Sequence, residues 1–94
     1  MAEQVDFLAH REGDAVAPAV RDVDAGTATL AYLDTGRRTQ IQVSERIPLG
    51  HKVALADVAE SGPVTEYNVR IGLATRSIRA GELVHTHNLR SARW

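Results

Sequence analysis

The chain has 94 residues, no cysteine, and 11 basic against 12 acidic side chains, for a formal charge of -1. That length holds one domain, 1–94, with a single modest core that removes roughly 60–65% of the unfolded chain's surface from water. Disulfides and thiolate metal sites are excluded, and with aromatics at 4% and no basic run there is no footprint for nucleic acid.

The N-terminal stretch MAEQVDFLAHREGD is acidic and broken by charges, unlike a secretory signal. No apolar run approaches the ~20 residues of a membrane span. A cytoplasmic protein with no membrane partner is the expectation. Residues 14–20 carry Ala and Val around Pro18, which suits an edge strand or a bulge. Residues 27–33 and 39–43 flank D-T-G-R-R, a hairpin loop with Gly36 at the positive-φ position. In the second arm Gln40 and Gln42 alternate with Ile41 and Val43, so one face is wet. Residues 51–55 form the next strand and run on into a helical turn across 56–60. Strands follow at 64–67 and 69–74, and a last one at 82–87. No window holds the apolar stripe of a long amphipathic helix.

One phrase recurs four times: a branched apolar residue, two or three turn residues, a glycine, then a strand-like run. It begins at Val23, Ile47, Val58 and Ile78 and reaches Gly26, Gly50, Gly62 and Gly81. Glycine suits each turn because it takes positive φ without a Cβ clash. The spacing is too irregular for a solenoid. The chain therefore reads as all-β, mainly short strands with at most one or two short helical turns.

Candidate chemistry sits in histidines. His85 and His87 lie two apart in the last predicted strand and so share a face. Paired imidazoles there can ligate a divalent metal, handle protons or meet an anion, and two such residues also occur at ordinary strand ends. His51 joins them if the turns at Gly50 and Gly81 are neighbours, and His10 is a fourth candidate. Lys52 offers a cation to a carboxylate or is simply solvated. Asn88 hydrogen-bonds a sugar hydroxyl or caps the exit from the strand. Tyr67 is a core aromatic with its hydroxyl at the rim. No phosphate loop or nucleophile elbow is present.

The residues Ile47, Pro48, Gly50, His51, Lys52 and Ala54, followed by Ile71, Gly72, Ala74, Thr75, Ile78, Gly81, Glu82, Val84, His85, His87 and Asn88, spell IP-x-GHK-x-A and IG-x-AT-x-x-I-x-x-GE-x-VH-x-HN. This resembles the N-terminal SAF-type domain of the altronate/galactarate dehydratase family. His10, Asp14, Val16 and Ala17 resemble the family's opening segment. Where members tend to read Lys-Tyr-Gly, this chain reads Glu66-Tyr67-Asn68, which bears on substrate identity more than on fold.

The resemblance implies a small SAF-type β-clip domain and a hydro-lyase that removes water from a hydroxy acid. It implies a divalent metal, iron or manganese, for the complete enzyme and none in the isolated chain. It also implies a large catalytic subunit or domain as partner, with this chain as its small subunit or N-terminal domain. On that basis His51, His85 and His87 are expected as catalytic residues, and Lys52, Asn88 and Tyr67 as contacts to a small hydroxy-acid substrate. Two other readings stay open: a small subunit of the sulfolactate sulfo-lyase type, and a non-catalytic SAF module that binds an anionic sugar acid or a partner.

Overall fold

The computed structural model describes residues 4–66, 69–85 and 87–91. Among them the chain forms nine short strands and no helix. They are β1 (Phe7–Ala9), β2 (Val16–Pro18), β3 (Gly26–Tyr32), β4 (Arg38–Val43), β5 (Lys52–Ala54), β6 (Pro63–Glu66), β7 (Val69–Ala74), β8 (Leu83–Val84) and β9 (Leu89–Ser91). Three three-stranded sheets result, ordered β1-β3-β4, β2-β5-β8 and β6-β7-β9. β1 runs parallel to β3, and the remaining pairs are antiparallel. This is the all-β architecture of short strands expected for a small β-clip. No helix among the described residues is long and apolar enough to cross a membrane.

The central sheet divides the interior. Side chains alternate across a strand, so β2 sends Ala17 into one core with Phe7, Leu30, Ile47 and Val53. It sends Val16 into a second core with Ala54, Val64, Ile78 and Val84. β5 does the same with Val53 and Ala54. Full burial of each large aliphatic or aromatic side chain here is worth about 1.5–3 kcal/mol. β2 is an edge strand, as Pro18 suggests, and Pro18 is its last residue. The β3–β4 hairpin turns through Gly36 at φ +72°. In β4, Gln40 and Gln42 are exposed while Ile41 and Val43 turn inward.

The four glycine phrases pair two by two. Val23 and Ile47 exchange both backbone hydrogen bonds, at 2.9 and 2.8 Å, and Val58 and Ile78 do the same at 2.7 and 2.8 Å. The surroundings repeat as well. The Asp22 carboxylate accepts the Leu49 N–H at 2.8 Å, and the Asp57 carboxylate accepts the Ala80 N–H at 2.9 Å. Gly50 N–H donates to Ala19 and Gly81 N–H to Ala54; Ala19 N–H donates to His51 and Ala54 N–H to Glu82. The fold is thus an internal duplication in which His51 and Glu82 occupy equivalent places.

Three expectations are corrected. Residues 56–60 are not helical, because Val58 spends its N–H and carbonyl on Ile78 rather than along its own segment. In the third phrase Ser61, not Gly62, takes positive φ, at +66°. Gly62 is needed for another reason: a Cβ there would stand 2.8 Å from the Ala59 carbonyl oxygen. The last predicted strand stops at Val84, and His85, His87 and Asn88 lie in the bend and turn beyond it. β1 and β9 were not foreseen. Each is three residues long, too short to show a period, and each is held by partners distant in sequence.

Candidate functional site

The antiparallel register of β5 on β8 sets Lys52 opposite Val84 and Val53 opposite Leu83. One step further out, that register puts His51 opposite His85. Their rings stand 5.0 Å apart between centroids, inclined at 56°. His51 is half-buried and His85 exposed. His51 therefore does converge with His85. The strands that follow Gly50 and Gly81 pair with each other, and that pairing brings the two histidines together.

The duplication explains why position 51 is available for chemistry. Its counterpart, Glu82, folds back so that its carboxylate accepts the Arg79 N–H at 2.7 Å and closes the turn. The residue equivalent to Arg79 is Pro48, which has no N–H to cap. His51 N–H still donates to the Pro48 carbonyl at 2.9 Å, as Glu82 N–H does to Arg79 at 3.1 Å. The side chain at position 51 is thereby released from turn closure. Its Nδ1 lies 3.5 Å from the Leu49 carbonyl, too long to fix a tautomer.

His85 is held through its backbone. Asn88 is 2% exposed, and its side chain spans the turn. The amide oxygen accepts the His85 N–H at 3.0 Å, and Nδ2 donates to the Leu83 carbonyl at 2.7 Å. The His85 carbonyl accepts from Asn88 N–H and Leu89 N–H. Of the two roles read for Asn88, this geometry is the cap. His87 is exposed on the same turn, so the expected shared strand face for His85 and His87 is replaced by the cross-strand pair of His85 and His51.

Lys52 is half-buried, and its Nζ lies 2.7 Å from Glu66 Oε1. Alternation along β5 places Lys52 on the face of Ala54, toward the second core. Its charge is engaged inside the chain, latching β5 to β6. The sequence marks Glu66 as a departure but carries no sign of its partner. Tyr67 lies outside the described residues. His10 follows β1 and lines a shallow open hollow with Arg11, Leu33 and Asp34, apart from the pair.

A metal implied for the complete enzyme does not find a full ligand set here. Among the described residues no three His, Asp or Glu side chains are grouped to hold an ion. Structural and catalytic sites of divalent transition metals use at least three protein ligands. The histidine pair supplies two.

Comparison with known proteins adds three findings. The altronate/galactarate dehydratase SAF domain family matches residues 5–92. The alpha subunit of (2R)-sulfolactate sulfo-lyase from Chromohalobacter salexigens is 42% identical over 92 residues, covering 96% of this chain and 98% of that subunit. Altronate dehydratases from Bacillus subtilis and Escherichia coli are 33% and 36% identical over 85 and 78 residues. These alignments cover 90% and 83% of this chain but 16% and 15% of the dehydratases.

Proposed function

The chain belongs to the altronate/galactarate dehydratase SAF-domain family, and on that premise we propose that it is the small, non-autonomous part of a hydroxy-acid lyase. It lends the His51–His85 edge to a site completed by a larger catalytic subunit or domain. The observation that carries this reading is the pair itself, two imidazoles brought together at an open strand end. Such an edge needs a second surface to exclude water before it can act on a small substrate.

The chemistry of the class suits imidazole. A 2-hydroxy acid loses the proton beside its carboxylate, and a group on the next carbon departs. Water leaves in a dehydratase and sulfite in a sulfo-lyase, and in both the enol product becomes a 2-keto acid. Histidine is suited to proton transfer near neutrality and to orienting an anionic substrate. A divalent metal in the complete enzyme supplies stabilisation of carboxylate and enediolate charge. No step is assigned here to a metal held by this chain alone.

Removal of water from a sugar acid is the first reading. The sulfo-lyase reading is favoured by one observation: the chain matches the alpha subunit of that enzyme over nearly its whole length. Co-expression with a large catalytic subunit of this family, followed by turnover assays on aldonates, aldarates and sulfolactate, separates the two by whether water or sulfite is lost. His51→Ala and His85→Ala in that complex are expected to lower kcat by about a hundredfold. Unchanged turnover in both variants rejects the proposal and leaves a binding module, which sugar acids would stabilise against heat without any effect of the histidines on rate.

A further inference from the structure

We propose that Val20 and Leu49 form the surface by which this chain docks on its larger catalytic partner, beside His51. The proposal rests on the lyase reading above and adds to it where the partner is held. The two residues flank one backbone bridge. Gly50 N–H donates to the Ala19 carbonyl at 2.9 Å, and Ala19 N–H donates to the His51 carbonyl at 2.8 Å. Val20, Leu49 and His51 therefore belong to the same short stretch of paired backbone. Val20 is 44% exposed and Leu49 61%.

Single exposed apolar side chains are ordinary on a protein surface. The internal duplication shows why these two stand out. Matching Ala19 with Ala54 and Gly50 with Gly81 sets Val20 in the place of Leu55 and Leu49 in the place of Ala80. Leu55 packs against the first core. Ala80 N–H donates to the Asp57 carboxylate as Leu49 N–H does to Asp22. The turn closes equally well around an alanine. Leucine at 49 thus adds apolar surface that the fold itself does not bury, two residues from the histidine that Pro48 frees from turn closure.

The surroundings match an interface with an apolar centre and a polar rim. Arg46 lies between Asp22 and Asp24, at 3.3 and 2.8 Å, and all three side chains are more than half exposed. The Asp22 carboxylate also fixes the Leu49 N–H. The backbone of the patch is ordered before it binds, which lowers the cost of association. The occupant follows from position. A surface seated on Val20 and Leu49 reaches His51, and the His51–His85 edge is the one that needs a covering surface to exclude water. The partner therefore presents an apolar patch there with charged groups around it.

The test uses the full chain and a large catalytic subunit of this family. It measures their dissociation constant, and turnover as the chain is titrated against a fixed amount of the large subunit. Leu49→Ala puts in the residue that the equivalent turn already holds, and should weaken the complex about tenfold. Leu49→Asp and Val20→Asp should weaken it by more than about a hundredfold. Turnover should return to the unsubstituted level at saturating Leu49→Ala chain, because both histidines are intact. Leu33→Asp, at a position 57% exposed beside the β3–β4 turn, should leave affinity unchanged. A complex that tolerates Leu49→Asp and Val20→Asp overturns the surface and leaves the lyase reading standing. If the aspartate variants fail to fold, Leu49→Ala decides, and unchanged affinity overturns the surface. So does an equal loss in Leu33→Asp, or self-association of the chain alone through Leu49, which makes a second copy the occupant. Absence of any complex overturns both the surface and the lyase reading.

Discussion

Asn88 fastens His85 from behind. Its buried amide accepts the His85 N–H at 3.0 Å and donates to the Leu83 carbonyl at 2.7 Å. Asn88→Ala leaves both backbone groups without that partner and is expected to cost about 2–4 kcal/mol in urea unfolding. Asn88→Asp keeps the acceptor but sets a carboxylate oxygen against the Leu83 carbonyl. Protonation restores a donor, so the folded form of that variant binds the proton more tightly than the unfolded form. Its stability deficit should therefore shrink as pH falls and grow as pH rises.

The duplicated turns make opposite demands at equivalent places. Glu82→Ala removes the acceptor for Arg79 N–H and should lower stability by about 1 kcal/mol, the usual cost of losing such a cap. His51→Ala removes nothing from its turn, and its effect should stay within about 0.5 kcal/mol. Parallel thermal melts of the two variants check the contrast. Equal losses would remove the argument that Pro48 frees position 51.

Lys52 and Glu66 join the central sheet to the third sheet, with their side chains 33% and 13% exposed. The pair lies between a surface and a buried ion pair. Glu66→Gln should cost about 1–2 kcal/mol, chiefly by leaving the ammonium half-buried and uncompensated. A cycle with Lys52→Met and the double variant should show coupling of about 1 kcal/mol. Additive losses would mean that the latch contributes nothing.

Gly81 and Gly36 separate close approach from turn conformation. Both have positive φ, +93° and +72°. A Cβ at Gly81 would collide with the Gln42 carbonyl oxygen, whereas nothing lies near one at Gly36. Gly36→Ala should cost about 1–2 kcal/mol, the penalty for an L-residue in that region. Gly81→Ala should cost more than twice as much, or prevent folding, because backbone must move. Chemical denaturation of the two variants gives the comparison.

Local order was written in local residues. The turns at Gly26, Gly50 and Gly81 depend on conformations open to glycine, and the β3–β4 hairpin on Gly36 at its loop. The wet face of β4 follows from the alternation of Gln40 and Gln42 with Ile41 and Val43, and β7 appears at its predicted bounds, Val69–Ala74. The motif around Gly50, His51, His85 and Asn88 was enough to point to the family.

Pairing was decided in three dimensions. Nothing local says that Val23 meets Ile47, that Val58 meets Ile78, or that β1 lies parallel to β3. Those choices balance loop-closure entropy against burial of a shared core, and both belong to the whole chain. The same balance replaced the expected partnership of His85 and His87 with that of His85 and His51. Asn88 gains two buried hydrogen bonds by ending the strand at Val84, and the β5–β8 register then carries His51 across to His85. The sequence by itself named the chemistry-bearing residues; tertiary pairing decided which of them can act together.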